Sequence, residues 1–197
     1  MSETRSYPRH ANTDAGEIEF RLMGRADEAA VLAFAQKLPT HDLLFLPRNI
    51  SQPKVLSAWI GEIERGQITS LLALKGGTVV GCGTLVRDPH SWSPHVGEIR
   101  MVVSSDARGS GVGRALTQET FLLALEAGLE KIVAQMTVDQ QGAIAVFESL
   151  GFKAEALLRN HVKDKSGQAH DLVVLGHNVA QVRAQIEAYG ISEAVEH

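Results

Sequence analysis

The sequence predicts an α/β fold of the α+β type, built on a mixed sheet. In its first half, β-rich runs follow one another with short breaks. In its second half, β-rich and amphipathic runs alternate. Consecutive strands pair antiparallel and strand–helix–strand units bring parallel neighbours, so the two patterns together call for one mixed sheet with helices against it. The chain has 197 residues, the size of a single domain. Its 44% hydrophobic and 21% charged residues supply an ordinary core and exclude wholesale disorder.

Residues 1–16 are polar, with Pro8, Asn12 and Gly16, and read as a loose arm. Glu17–Met23 alternates, placing Ile18, Phe20 and Leu22 on one side of a half-buried strand. Residues 26–37 read as a helix with Asp27 and Glu28 in the first turn, where the dipole favours acids; Pro39 stops it. The link His41–Pro47 has no clean period. Ser51 can cap a helix to Arg65, with Pro53 in its first turn and Gly66 beyond its end. Residues 68–75 and 78–87 read as strands joined by Gly76-Gly77, a pair suited to a hairpin turn. A loop over 88–94 leads to a strand over 96–103. Residues 111–128 form the longest helix, with Gly111, Ala115, Leu122, Leu125 and Leu129 along one stripe. A strand over 130–138, a helix over 140–150 ended by Gly151, a strand over 152–162, a turn over 163–168 and a strand over 170–176 follow. Asn178 then caps a helix to Tyr189. The domain spans 17–177, with a C-terminal helix and tail over 178–197.

Several function classes fall away on composition. The net charge is −4, without the basic excess of a nucleic-acid binder. No apolar run approaches the ~20 residues that cross a bilayer, and the N-terminus lacks a signal-type apolar segment. The lone cysteine, Cys82, cannot form an internal disulfide and fits a reducing cytoplasm, the expected location. The eight histidines show no paired-ligand spacing, so no metal is expected. Cys82 on its apolar strand and Trp59 on the second helix read as core.

The informative segment is Val96–Arg114. A strand ends near Val103; Arg108-Gly-Ser-Gly111-Val-Gly113-Arg follows and opens the long helix. The glycines allow a tight turn and close approach, the free amides of a helix start point at an anion, and Arg108 and Arg114 add cationic donors. This describes a phosphate or pyrophosphate cradle. It is not the dinucleotide fingerprint, which would need glycine where Arg114 stands. It is not a P-loop either, because no Gly-Lys-Ser/Thr occurs.

The Arg-x-x-Gly-x-Gly pattern over Arg108–Gly113 resembles motif A of the GCN5-related N-acetyltransferase (GNAT) superfamily. Gly97–Val103 resembles that family's fourth strand, and Gln140–Phe152 its second motif. The order of elements over 17–176 is similar too. The resemblance implies a mostly antiparallel mixed central sheet and acetyl-coenzyme A as cosubstrate. Backbone groups of Met101, Val102 and Val103 would pair with the pantetheine arm beside a splay in the sheet. The turn Arg108, Gly109, Ser110, Gly111, Val112, Gly113 and Arg114 would hold the pyrophosphate, with Gln140 and Phe147 also at the cofactor. The implied reaction is direct acetyl transfer to a primary amine.

Glu98 stands where several relatives place a general base. It shares a strand face with Arg100, so a plain Glu98–Arg100 pair is the competing reading. A backbone amide over Met101–Val103 would polarise the thioester oxygen. Phe147 stands where the family commonly has a tyrosine that protonates the leaving thiolate, and phenylalanine has no proton to give. Ser149 and His161 are sequence-near stand-ins. Phe147 also keeps open a non-catalytic acyl-coenzyme A binding or regulatory module, and a nucleotide-phosphate enzyme on another α/β fold remains a third reading. The acceptor site is expected from residues 39–52, including Asp42, Phe45, Pro47 and Arg48, and from 160–170; His170-Asp171 is a candidate lining. The acceptor is a small-molecule or peptide amine, whether amino acid, polyamine, aminoglycoside or protein terminus. The His41–Phe45 patch reads equally as a homodimer surface.

Overall fold

The computed structural model describes residues 6–46 and 48–180. The strands are β1 (Arg9–Thr13), β2 (Gly16–Leu22), β3 (Ile68–Lys75), β4 (Thr78–Arg87), β5 (Val96–Val103), β6 (Lys131–Thr137), β7 (Lys153–Lys163) and β8 (Ala169–Asn178). The helices are α1 (Glu28–Lys37), α2 (Pro53–Glu64), α3 (Val112–Glu126) and α4 (Gln141–Ser149), with a 3₁₀ segment over Thr40–Phe45. The strands form one sheet in the order β1-β2-β3-β4-β5-β6-β8-β7. Every neighbouring pair is antiparallel except β5–β6. The mixed, mostly antiparallel sheet is the expected one.

Helices α1 and α2 cover one face, where Val31, Leu56 and Ile60 pack with Leu72, Cys82 and Val102. On the other face, Val112 and Leu116 of α3 pack with Ile18, Phe20 and Leu71. Ala124 of α3 and Phe147 of α4 join Leu85, Ile99 and Ile132 there. Cys82 belongs to the core as expected, and burial pushes its thiol up to about 12, against a weak opposing contact from Thr84.

Three expectations need correction. The arm over 1–16 contains β1, which pairs with β2 from Arg9↔Phe20 to Thr13↔Gly16. Its polar side chains face water along a sheet edge, so no apolar alternation announced it. Ser51 is not a cap: Gln52 precedes α2 without a side-chain cap bond, and the Ser51 hydroxyl donates to Asn49 Oδ1 at 2.6 Å. The buried stripe of α3 is Val112, Leu116, Thr117, Thr120 and Ala124. Gly81 and Gly83 decide this. A Cβ on Gly81 would lie 2.9 Å from Leu116 Cδ2, and one on Gly83 2.3 Å from Thr120 Oγ1. Their bare backbone admits α3 with small residues facing inward. Asn178 ends β8 and Val179 and Ala180 are helical directly after it, as expected; the rest of the expected helix to Tyr189 lies outside the described residues.

The β5–β6 pairing is what shapes the site. It runs only through Val96↔Lys131, Gly97↔Ile132 and Glu98↔Val133. Beyond Glu98, β5 stays with β4 as far as Val103↔Gly81, while β6 stays with β8 as far as Thr137↔Leu172. The two parallel strands therefore diverge, and the facing edges over 99–103 and 134–137 are left without ladder partners.

Candidate active site

The turn that enters α3 is built for an anion. Gly109 and Gly111 have φ of +70° and +83°, a region that L side chains rarely adopt, and Gly111 is the residue just before α3. Ala115 is the first residue after the turn whose amide finds a backbone acceptor outside the regular ladder, Gly111 O at 3.0 Å. Among the described residues, the amides from Gly109 through Arg114 have no backbone partner of normal geometry. Unpaired amides converging on a helix start make an anion site.

These amides border a cavity of about 680 Å³ that runs into the β5–β6 splay. Met101, Val102 and Val103 form one wall, Arg108, Gly109, Gly111, Gly113 and Arg114 another, and Gln140 and Phe147 a third. Of the sequence-predicted cofactor residues, Ser110 and Val112 do not border it. The Ser110 hydroxyl is turned back onto Ala107 O at 2.7 Å, and the Val112 side chain is fully buried in the core.

Glu98 does not border the cavity. It stands at the last paired position of β5–β6, and Arg100 donates to both its carboxylate oxygens at 2.9 Å. The ion pair weighed against the base is therefore present. Ser149 donates to Val146 O at 2.7 Å, and His161 is exposed on β7; neither reaches the cavity.

On the far side of the cavity stand His41 and Asp42, from the expected stretch 39–52, together with Thr117 and Asp139, which sequence reasoning missed. His41 and Asp42 come from the aperiodic link, now the 3₁₀ segment, which packs on both β5 and β6 and so spans the splay. Asp42 is buried, and Arg108 donates to it and, at 3.4 Å, to Val103 O. The signal that could have found Asp139 is its place after a strand and immediately before the Gln140 motif.

His41 Nε2 lies 2.6 Å from Asp139 Oδ2, close enough for an ion pair, though the ring N–H is not aligned for a hydrogen bond. Burial opposes the charge on Asp139, but the polar contacts around it, His41 among them, outweigh burial and hold its carboxyl below the usual range. The His41 ring meets His170 edge-on, with centroids 5.3 Å apart. His170 Nε2 in turn lies 3.0 Å from Asp164 Oδ2. The Ser166 hydroxyl first, then His170, hold the Asp164 carboxyl well below its ordinary value. The expected His170-Asp171 pair is split: His170 faces His41, while Asp171 accepts from the Asn160 amide at 2.8 Å.

A polar ligand fits this cavity. Among the described residues, four buried side-chain polar atoms lack a hydrogen bond, and three belong to this region: His41 Nε2, Thr137 Oγ1 and Gln140 Nε2. Gln140 Oε1 is satisfied by the Thr137 amide at 3.0 Å, which fixes the side chain and leaves its NH₂ as a donor. With the amides of the α3 turn and the unpaired β5 edge, these groups suit a chain with a diphosphate at one end and amides along its length. That is the form of coenzyme A.

A family model described as Acetyltransferase (GNAT) family matches residues 38–152. The chain belongs to this family. The match runs from the link after α1 through the α3 turn to the end of α4, and so covers every wall of the cavity. N-acetyltransferase 8 of Rattus norvegicus is 36% identical over 84 residues, which are 42% of this chain and 38% of that protein. The IAA acetyltransferase of Azospirillum brasilense is 35% identical over 91 residues, 46% of this chain and 58% of that one. This GNAT chain thus spans well under two thirds of these relatives. An acetyltransferase of the GNAT family from Streptococcus pneumoniae superposes with a TM-score of 0.71 at 18% identity, over 82% of this chain and 99% of its own. The yncA protein of Salmonella typhimurium, solved with its cofactor acetyl-CoA, gives 0.70 at 20% identity, over 82% and 94%. At such identities the likeness shows the shared GNAT fold.

Proposed function

We propose that this protein is an N-acetyltransferase that moves an acetyl group from acetyl-coenzyme A to a primary amine by direct attack. The observation that carries the reading is the row of unpaired amides from Gly109 to Arg114 opening into the β5–β6 splay. The turn holds the diphosphate, with Arg108 and Arg114 beside it. The free edge of β5 over Met101–Val103 pairs with the amide-bearing arm, and one of its amides polarises the thioester oxygen. Coenzyme A, when bound, supplies the acetyl thioester.

Glu98 is the candidate base. Its position at the vertex of the splay supports this role, and the bidentate Arg100 contact orients the carboxylate, which then reaches the amine through a water. The acceptor enters over the 3₁₀ segment. Calorimetry with acetyl-CoA and thiol release over a panel of amino acids, polyamines, aminoglycosides and short peptides test the reading. Saturable binding and turnover with at least one amine are expected. Glu98→Gln lowers kcat about 100-fold while acetyl-CoA binds as before. Binding without turnover for every amine would instead favour a non-catalytic acyl-coenzyme A module, the alternative that Phe147 motivates.

A further inference from the structure

Acetyl transfer ends with a thiolate that needs a proton, and Phe147 in the cavity wall has none to give. Glu98 lies outside the cavity, paired with Arg100. The titratable side chains that border the cavity among the described residues are His41, Asp42, Arg108, Arg114 and Asp139. Arginine stays charged and aspartate is an acceptor near neutrality, so imidazole alone in this set exchanges protons there.

We infer that His41, positioned by Asp139, is the general acid of this site. The inference rests on the acetyl-transfer reading above. The amine nitrogen bonds to the carbonyl carbon and the C–S bond breaks. Sulfur leaves with the electron pair and takes a proton from the His41 imidazolium. The attacking nitrogen gives its surplus proton through water to Glu98, which releases it to solvent, and solvent returns a proton to His41. Amine and acetyl thioester become amide and thiol, with no further reactant.

Three features of the structure suit His41 to this task. It sits on the segment that packs on both β5 and β6, over the slot where they part. Its Nε2 faces the Asp139 carboxylate at 2.6 Å, which holds the ring and leaves Nδ1 without a hydrogen-bond partner among the described residues. His170, on β8, closes against the ring edge-on and limits its rotation. The charged groups around it are Asp42 on its own segment, paired with Arg108 of the α3 turn; Asp139 before α4; and Asp164 behind His170.

The test pairs kinetics with a binding readout that needs no acceptor. His41→Gln and Asp139→Asn are compared with wild type for thiol release, and imidazole-¹⁵N signals of the full chain are followed as coenzyme A is added. His41→Gln, which also identifies the signal, is expected to lower kcat about 100-fold. It should keep the coenzyme A Kd within threefold and lose the alkaline fall in rate expected of wild type. Asp139→Asn, which removes the carboxylate that positions the ring, is expected to lower kcat as well and to move the His41 signal in the free protein. In wild type, coenzyme A should move the His41 signal more than that of exposed His161. Wild-type rates and pH profile in His41→Gln, or a His41 signal indifferent to bound coenzyme A, would overturn the inference and leave the acetyl-transfer reading standing. Failure of wild type to bind coenzyme A would overturn both.

Discussion

Gly111 and Gly113 lie two residues apart in the cradle, yet alanine should act oppositely at the two positions. Gly111 has φ +83°, and a Cβ there would meet only Thr13 Cβ at 3.6 Å, an ordinary contact. The whole cost of Gly111→Ala is therefore the left-handed backbone, about 1–2 kcal/mol. For a chain of this length that lowers Tm by about 2–8 °C. Gly113 is inside α3, and its Cβ would stand 3.7 Å from Val103 Cγ2 without a clash. Alanine in a helix is favoured over glycine by about 0.5–1 kcal/mol, so Gly113→Ala should raise Tm by about 1–4 °C. That methyl, however, stands on the cavity wall beside the amides. Displacing one phosphate oxygen from a charge-assisted amide bond costs about 1.5–3 kcal/mol, or about 10–150-fold in Kd. Differential scanning fluorimetry without ligand and calorimetry with acetyl-CoA read the two effects separately. A Gly113→Ala protein that is more stable and binds acetyl-CoA as tightly as wild type would refute the placement of the diphosphate. Gly111→Asn serves as a control, because asparagine tolerates the left-handed region and should recover much of the lost stability.

Other sites give independent checks. Gly83→Ala forces a Cβ to 2.3 Å from buried Thr120 Oγ1 and 3.0 Å from Met101 Sδ, so a loss of about 1–3 kcal/mol in denaturant unfolding is expected. Asp27 accepts from Arg21 at 2.6 and 2.9 Å and from the Gly24 amide at 2.9 Å. The Arg21 bonds first, against burial, hold its carboxyl below the usual range. A carboxylate with a lowered folded-state pKa stabilises fully above its unfolded value and loses that contribution as pH falls through the folded one. Asp27→Asn should therefore cost about 1–3 kcal/mol at neutral pH and flatten the acid limb of the stability curve, as urea titrations between neutrality and acid would read. Cys82, buried and with its thiol pushed up to about 12, should resist thiol reagents in the native protein and react at once in guanidinium.

The glycine-turn side of the cavity was largely legible in the sequence. A positive φ needs glycine and a helix start frees amides, so Gly109 and Gly111 carry their meaning locally. Ser110 and Val112 show the limit of reading a motif as a block. Within one turn, the hydroxyl of the first folds back onto Ala107 and the side chain of the second enters the core. The opposite wall was only partly legible. His41, Asp139 and His170 are far apart in the chain, lie on a 3₁₀ segment, a loop and a strand, and follow no shared period. The Glu98–Arg100 pair was legible because period 2 alone places both on one face.

By itself, then, the sequence determined what depends on near neighbours. That includes the strands and helices with strong periods, the Gly76-Gly77 hairpin with φ of +54° and +80°, and the glycine turn before α3. Tertiary structure decided what depends on distant segments meeting. Edge strand β1 forms only because β2 offers a ladder to polar residues with no pattern of their own. The inward face of α3 is set by two glycines on β4 rather than by its largest apolar residues. The cavity exists because β5 and β6 part after Glu98, each held by its other neighbour, and no residue in either strand encodes that separation alone.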